Sequence, residues 1–235
     1  MENNENIFAP FTAEVVKKAA FSIGYYKAPG PYGIHAVFYT KFWDLCGEEI
    51  TQEILIALNT GIIPEGWNDT TVVLIPNVDN PELITQFRPI SLCNVIYKII
   101  SKLLAHRLKF ILPDVISPMQ SAFVPGRLIT DNVLVAYECI HIIKNKKSGA
   151  TGTCAVKLDM HKAYDRVEWI FLENMMRKLG FHERWISLMM ACVRSMRYQV
   201  RFNSEEKDMF TPTSGLRQGG SSLSLFVPVM RRTAF

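Results

Sequence analysis

Lys157-Leu-Asp-Met-His-Lys-Ala-Tyr-Asp-Arg-Val-Glu-Trp169 ends an apolar run on a carboxylate and then turns toward a helix. The residues ahead of it, 151–158 (TGTCAVKL), are small and apolar around Ala155 and Val156, a pattern that predicts a short strand. Asp159 then falls at the strand's end, where a side chain can project into a cleft. Asp165 and Glu168 have capping-box spacing ahead of Trp169 and Ile170, so a helix is expected to start at Asp165. The two acids thereby separate: Asp165 caps a helix, and Asp159 is left without a structural duty.

Working outward, a chain of 235 residues can bury a substantial core as one large domain or two small ones. Its 49% hydrophobic and 20% charged residues fit a folded globular protein. No apolar run reaches the length of a membrane span, and the acidic, polar first residues are not a secretory signal. Cys46, Cys93, Cys139, Cys154 and Cys192 are widely spread and never form a Cys-x-x-Cys pair. They argue against a disulfide scaffold or a zinc site and suit a reducing compartment. A net charge of +4 permits a nucleic-acid partner without demanding one.

Periodicity predicts helices over 15–21, 38–58, 95–112, 131–143, 168–179 and 183–194. The second ends near Gly61, and the third carries Ile99, Leu103, Leu104 and Leu108 at core spacing. Strands are expected at 70–75 (TTVVLI), stopped by Pro76, and at 198–202 (YQVRF), followed by a hairpin loop over 203–207. Helices and strands mix without regular βα alternation, which predicts an α+β fold.

Several words of this chain resemble those of reverse transcriptases in the form used by non-LTR (LINE-type) retrotransposons. They are Lys27-Ala-Pro-Gly-Pro-Tyr-Gly-Ile34, Leu74-Ile-Pro76, and Phe87-Arg-Pro-Ile-Ser-Leu-Cys-Asn-Val-Ile-Tyr-Lys98. Ile99-Ile-Ser-Lys-Leu-Leu-Ala-His-Arg-Leu108, Gln120-Ser-Ala-Phe-Val-Pro-Gly-Arg127, the stretch around Asp159 and Gly215-Leu-Arg-Gln-Gly219 follow in the family's order. Single words would be weak; together, in sequence, they are specific. A group II intron maturase shares the polymerase motifs, but the wording around residues 91–98 and 120–127 points to the LINE type. The resemblance implies fingers over residues 1–115 and a partial palm over 116–235, with a small, mostly antiparallel sheet packed on helices.

It also implies RNA-directed DNA polymerisation by two-metal-ion nucleotidyl transfer, with an RNA template, a DNA primer and deoxynucleoside triphosphates as partners. Two divalent cations, Mg2+ or Mn2+, about 3.5–4 Å apart would clamp the attacking and leaving oxygens. By resemblance Asp159 is the catalytic and metal-binding carboxylate, and the backbone carbonyl of Met160 is a neighbouring ligand. Tyr164 would crowd the sugar 2′ position, Arg88 would contact the triphosphate with its guanidinium fork, and Gln218 and Gly219 would line the nascent base-pair pocket. Lys27, Gly30 and Gly33 would touch the template, joined by Lys98 and Lys102 on a basic helix stripe that continues to His106 and Lys109. Without the resemblance, each has a plainer reading: an exposed acid at a strand end, a packed tyrosine, a surface arginine, the wet side of an amphipathic helix.

The chain departs from the family in several places. Asn77 stands where a lysine usually follows Leu-Ile-Pro, Tyr32 stands where an aspartate precedes glycine, and 220–225 (GSSLSL) replaces an Asp-Pro-Leu-Ser-Pro run. Residues 226–235 contain Pro228, which argues against a palm helix there. No Asp-Asp occurs anywhere, so Asp159 lacks the carboxylates that would hold a second metal. The expectation is a polymerase fragment inactive by itself, with its standing as an enzyme left open and metal binding in doubt. The alternatives are a non-catalytic nucleic-acid-binding remnant and an inert product of a decayed retroelement. An intracellular, nuclear location follows from the family alone, since the sequence shows no targeting signal.

Overall fold

The computed structural model describes residues 9–116, 124, 126–146, 152–156, 164–203 and 205–217. The first helices are α1 (Ala13–Phe21), α2 (Ala36–Lys41) and α3 (Trp43–Thr60). Thr12 caps α1 through its side chain, which accepts from the Val15 N–H. The single helix expected over 38–58 is interrupted at Phe42, where ψ swings to 23°. The interruption packs Phe42 against Phe38 and sets Trp43 edge-on to Phe21, with ring centroids 5.1 and 5.5 Å apart. Gly61 ends α3 as expected.

Next come β1 (Asp69–Pro76), a short 3-10 turn (Ile84–Gln86), β2 (Phe87–Cys93) and α4 (Val95–Val115). The later elements are α5 (Ile129–Asn145), α6 (Trp169–Lys178), α7 (Glu183–Arg194), β3 (Arg197–Phe202) and β4 (Glu205–Glu206). The strands form one sheet in the order β2-β1-β3-β4, antiparallel except for the parallel β1/β3 pair. Helices packed on a small mixed sheet give the α+β class that the sequence predicts.

β2 is a strand that periodicity does not predict, because Pro89 interrupts it. Its place explains the tolerance: among the described residues β2 lies at the sheet edge, paired with β1 alone, and Pro89 stands opposite Leu74. The parallel pair is clamped where it begins. Asp69 and Arg197 are register partners, and the guanidinium donates to both carboxylate oxygens at 2.7 and 2.8 Å. Glu65 takes another donor of the same arginine, and the two acids hold the Arg197 pKa above its ordinary value.

The core lies around α4. Ile99, Leu103, Leu104 and Leu108 are buried as their spacing predicts, each worth about 1.5–3 kcal/mol of apolar transfer. α1 and α3 pack against α4, and α6 packs against α7 with Leu172, Met175, Met176, Met189 and Met190 inside. α5 buries none of its residues.

Three other expectations change. The helix after residue 165 begins at Trp169, with Glu168 as its N-cap and no side-chain capping bond, so Asp165 caps nothing. Its peptide is instead engaged by another part of the chain, as described below. Residues 152–156 of the expected 151–158 strand join no sheet, and Val156 is 74% exposed; the remainder lies outside the described residues. The hairpin after β3 is tighter than 203–207, because Glu205 and Glu206 already pair back onto Phe202 and Arg201. Residues 226–235, where a palm helix was not expected, also lie outside the described residues.

Candidate nucleotide and template site

Two words of the sequence that are far apart in the chain meet at one junction. The turn at residues 164–166 leads toward α6, and the segment 215–217 runs beside it. The Leu216 N–H donates to the Tyr164 carbonyl at 2.7 Å, and the Gly215 N–H donates to the Val167 carbonyl at 2.7 Å. The Trp169 indole N–H completes the set by donating to the Gly215 carbonyl at 2.9 Å. Gly215 has φ +87°, and a Cβ there would stand 3.2 Å from the Asp165 carbonyl oxygen and 3.3 Å from its Cα. Only glycine supplies both the left-handed backbone and the close approach. The main chain of Asp165 thus lies against Gly215, and the helix begins later, at Trp169.

Tyr164 is half-buried against the core, with its carbonyl used by Leu216. Beside the junction lies an open cleft of about 750 Å³, bounded by Asp165, Arg166, Trp169, Arg194, Thr213 and Ser214. Its volume falls in the range of small-molecule sites, roughly 300–1,000 Å³.

Arg217 is 1% exposed and joins this junction to the sheet. One terminal nitrogen donates to the Cys93 thiol sulfur at 3.1 Å. The other donates to Asn68, at 2.7 Å to Oδ1 and 3.1 Å to the carbonyl oxygen. Its guanidinium carbon lies 4.9 Å from the Tyr97 ring centroid and 5.9 Å from that of Tyr198. Asn68 is fixed in turn, donating to the Cys192 carbonyl and to Ser195 Oγ at 2.8 Å each. Burial drives the Tyr97 pKa well above its ordinary value and pushes the Cys192 thiol up to about 12, so both stay neutral.

The basic residues converge elsewhere. Lys98 and Lys102 are half-buried on α4, and each ties down the loop after α1: Lys98 donates to the Ala28 carbonyl at 2.7 Å and Lys102 to the Ser22 carbonyl at 2.6 Å. Burial lowers the pKa of both, and the nearby Lys27 charge lowers each further. Lys109 adds to the same effect on Lys102. Lys27, Lys98 and Lys102 thus form one positive cluster. Gly30 is wedged against the start of α4, where a Cβ would collide with the Asn94 backbone and stand 2.6 Å from its Oδ1. Asn94 Oδ1 accepts from the Tyr32 N–H at 3.1 Å, and its Nδ2 donates to the Gly66 carbonyl at 3.0 Å. Tyr32 is thereby anchored through its main chain. Gly33 closes the turn by donating to the Gly30 carbonyl at 2.9 Å.

Arg88 is exposed in β2 opposite Ile75, in extended chain as the following proline requires. Asn77 sits past the end of β1, its N–H on the Gln86 carbonyl at 2.8 Å. Asp159, Met160, Gln218 and Gly219 lie outside the described residues. Among the described residues no three His, Cys, Asp or Glu side chains are placed to hold a metal ion. Among them, too, no helix is long and apolar enough to cross a membrane. Reading the sequence singles out Tyr164, Lys98 and Lys102 but not Asn68, Asn94 or the burial of Arg217. No periodicity marks these polar residues as internal, because their partners come from distant segments.

Residues 75–233, well over half of the chain, match the family described as reverse transcriptase (RNA-dependent DNA polymerase). The chain is also similar to the Transposon TX1 uncharacterized 149 kDa protein of Xenopus laevis, 29% identical over 92% of this chain and 16% of that protein. A second relative is the Retrovirus-related Pol polyprotein from type-1 retrotransposable element R2 of Nasonia vitripennis, 22% identical over 92% of this chain and 20% of that protein. The chain thus spans a fifth or less of the length of these two relatives. It belongs to the reverse transcriptase family, and its relatives identify the LINE type, as the wording of its motifs predicts.

Proposed function

We propose that residues 1–115 are the fingers and that the palm begins at residue 116 of an RNA-directed DNA polymerase that copies an RNA template from a DNA primer. The observation that carries this reading is the junction between Tyr164 and Gly215–Arg217. It brings the end of one polymerase word beside another across 50 residues of intervening sequence, as a shared nucleotide pocket requires. In this reading the Lys27, Lys98 and Lys102 cluster, with Gly30 and Gly33 shaping the loop beneath it, takes the template phosphates. Arg88 takes the triphosphate of the incoming deoxynucleotide. The ring of Tyr164 crowds the sugar 2′ position and excludes a ribose hydroxyl, while Gln218 and Gly219 border the nascent base pair.

Asp159 and the Met160 carbonyl are the ligands this chain offers a divalent cation. Bound Mg2+ or Mn2+ would stabilise charge on the attacking and leaving oxygens. Work on chromosomal DNA would place the protein in the nucleus.

Primer extension on an RNA template, with magnesium and deoxynucleotides, tests the reading. Extension by the wild type that disappears in Asp159→Ala supports it and overturns the expectation that the chain is inactive by itself. Absence of extension, combined with salt-dependent RNA affinity that survives Asp159→Ala, would replace it with non-catalytic nucleic-acid binding.

A further inference from the structure

We propose that Tyr25, Tyr26 and Tyr32 form a stacking platform for unpaired bases of a single-stranded template, set beside the lysines that meet its phosphates. The inference rests on the template reading above and gives the bases a place on a surface so far assigned only to phosphates. The first observation is where the three tyrosines stand. The Lys27 N–H donates to the Gly24 carbonyl at 3.1 Å, closing a turn with Tyr25 and Tyr26 at its tip. The Gly33 N–H closes a second turn on the Gly30 carbonyl, with Pro31 and Tyr32 at its tip. Turn tips favour glycine, proline, asparagine, aspartate and serine, so the backbone gives no reason for tyrosine there. Yet Tyr26 is 80% exposed, and Tyr25 and Tyr32 are half exposed. A single exposed aromatic is ordinary, but three on two neighbouring turns make a surface.

The second observation is how the segment is held. Asn94 at the N-cap of α4 and Lys98 and Lys102 within the helix follow at four-residue spacing and share one face. Lys102 takes the Ser22 carbonyl, Lys98 the Ala28 carbonyl and Asn94 the Tyr32 N–H. All three clamps act on main-chain groups, so none of them occupies a tyrosine ring. A ring carried on a fastened turn costs less ordering when a ligand lands on it.

The third observation is charge. Lys27 follows Tyr26, and its stem lies across Gly24, where a Cβ would stand 3.4 Å from the lysine Cγ. Its charge is felt by both Lys98 and Lys102. Exposed rings beside clustered cations suit a polyanion that also carries flat apolar faces, and single-stranded nucleic acid is that ligand. A duplex hides its base faces along its length, and an acidic peptide has charge without the planes.

The test uses the full chain and two RNA probes, an oligouridylate and a strand of the same length with abasic riboses. Binding is followed by fluorescence anisotropy over a series of salt concentrations. The wild type is expected to hold the oligouridylate about tenfold more tightly than the abasic strand. Tyr26→Ala should weaken oligouridylate binding about fivefold and leave both the abasic strand and the salt slope unchanged, whereas Tyr26→Phe should keep the wild-type affinity. Lys27→Ala should weaken both strands and lower the slope by about one. Replacing all three tyrosines by alanine should abolish the preference for bases. Should that variant fail to fold, Tyr26→Ala, at an exposed turn tip, carries the test by itself.

A wild type that holds the two strands equally, a preference that survives the triple replacement, or a loss in Tyr26→Ala that is equal on both strands would overturn the inference and leave the template reading standing. Binding of neither strand would remove that reading, and the platform with it.

Discussion

α4 and α5 present similar sequence patterns and opposite structural outcomes. Both carry apolar residues at helical spacing among polar ones, and both form helices where that spacing predicts them. α4 buries Ile99, Ile100, Leu103, Leu104, Leu108 and Leu112 almost completely. α5 leaves Val133, Leu134, Val135, Tyr137, Ile140 and Ile142 more than half exposed. An amphipathic pattern commits a segment to a helix with one apolar face. Whether that face is covered depends on which other segments reach it, and that is decided at the tertiary level.

The largest contrast to test is a leucine truncation in each helix. Leu104→Ala should lower the unfolding free energy by about 2–5 kcal/mol through lost transfer and the cavity left behind. Leu134→Ala should change it by less than about 0.5 kcal/mol, as for an exposed site. Urea titrations would measure both, and equal losses would mean that α5 is packed in solution.

A polar contrast comes next in size. Asn68→Ala takes the Oδ1 acceptor from Arg217 while the backbone carbonyl stays, takes a donor from the buried Cys192 carbonyl, and should cost about 1–3 kcal/mol. A polar-to-alanine change on exposed α5, Thr130→Ala, should fall within about 0.5 kcal/mol. Native-state hydrogen exchange would sharpen the comparison without mutation. The α5 amides should exchange through local opening, well before those of α4, whose slowest amides follow global unfolding. Matching protection in the two helices would contradict the exposed α5.

The smallest effects concern the basic face of α4. Lys102→Ala should reduce the slope of log affinity against log salt for single-stranded nucleic acid by about one, a change no residue of α5 should reproduce. The pH dependence has a definite sign. Burial and neighbouring lysines favour the neutral forms of Lys98 and Lys102, so nucleic-acid affinity should begin to fall at a pH below the ordinary lysine value of 10.5. Folding stability should move the other way. The unfolded state holds these protons more tightly, so stability rises with pH between the lowered folded pKa and 10.5. Gel-shift and denaturation series on single-stranded DNA, which tolerates alkali, would check both signs.

Much of the secondary structure is legible because it depends on local physics. β1 announces itself through Thr70–Ile75 and the stop at Pro76, and α7 follows its apolar spacing over Glu183–Arg194. The misses have particular causes. Pro89 hides β2 from a reader of local pattern, since a proline is compatible with a strand only when one side needs no partner, and edge position is a property of the whole sheet. Asp165 has the spacing of a cap, but its peptide meets Gly215, some fifty residues away, and the helix starts later. The same limit applied to the site: Tyr164 and the 215–219 word stand out in the sequence, whereas Asn68, Asn94 and Arg217 look like ordinary polar residues.

Read alone, the residues settled the family, the α+β class and most helices, with β1 and β3, because motif wording, hydrophobic period and turn chemistry act over a few residues. Which polar groups meet was settled in three dimensions. The Arg217–Asn68–Cys93 contacts and the Lys27, Lys98 and Lys102 cluster join residues separated by tens of positions or more. Burial and electrostatics depend on distance in space, and no local pattern records that distance.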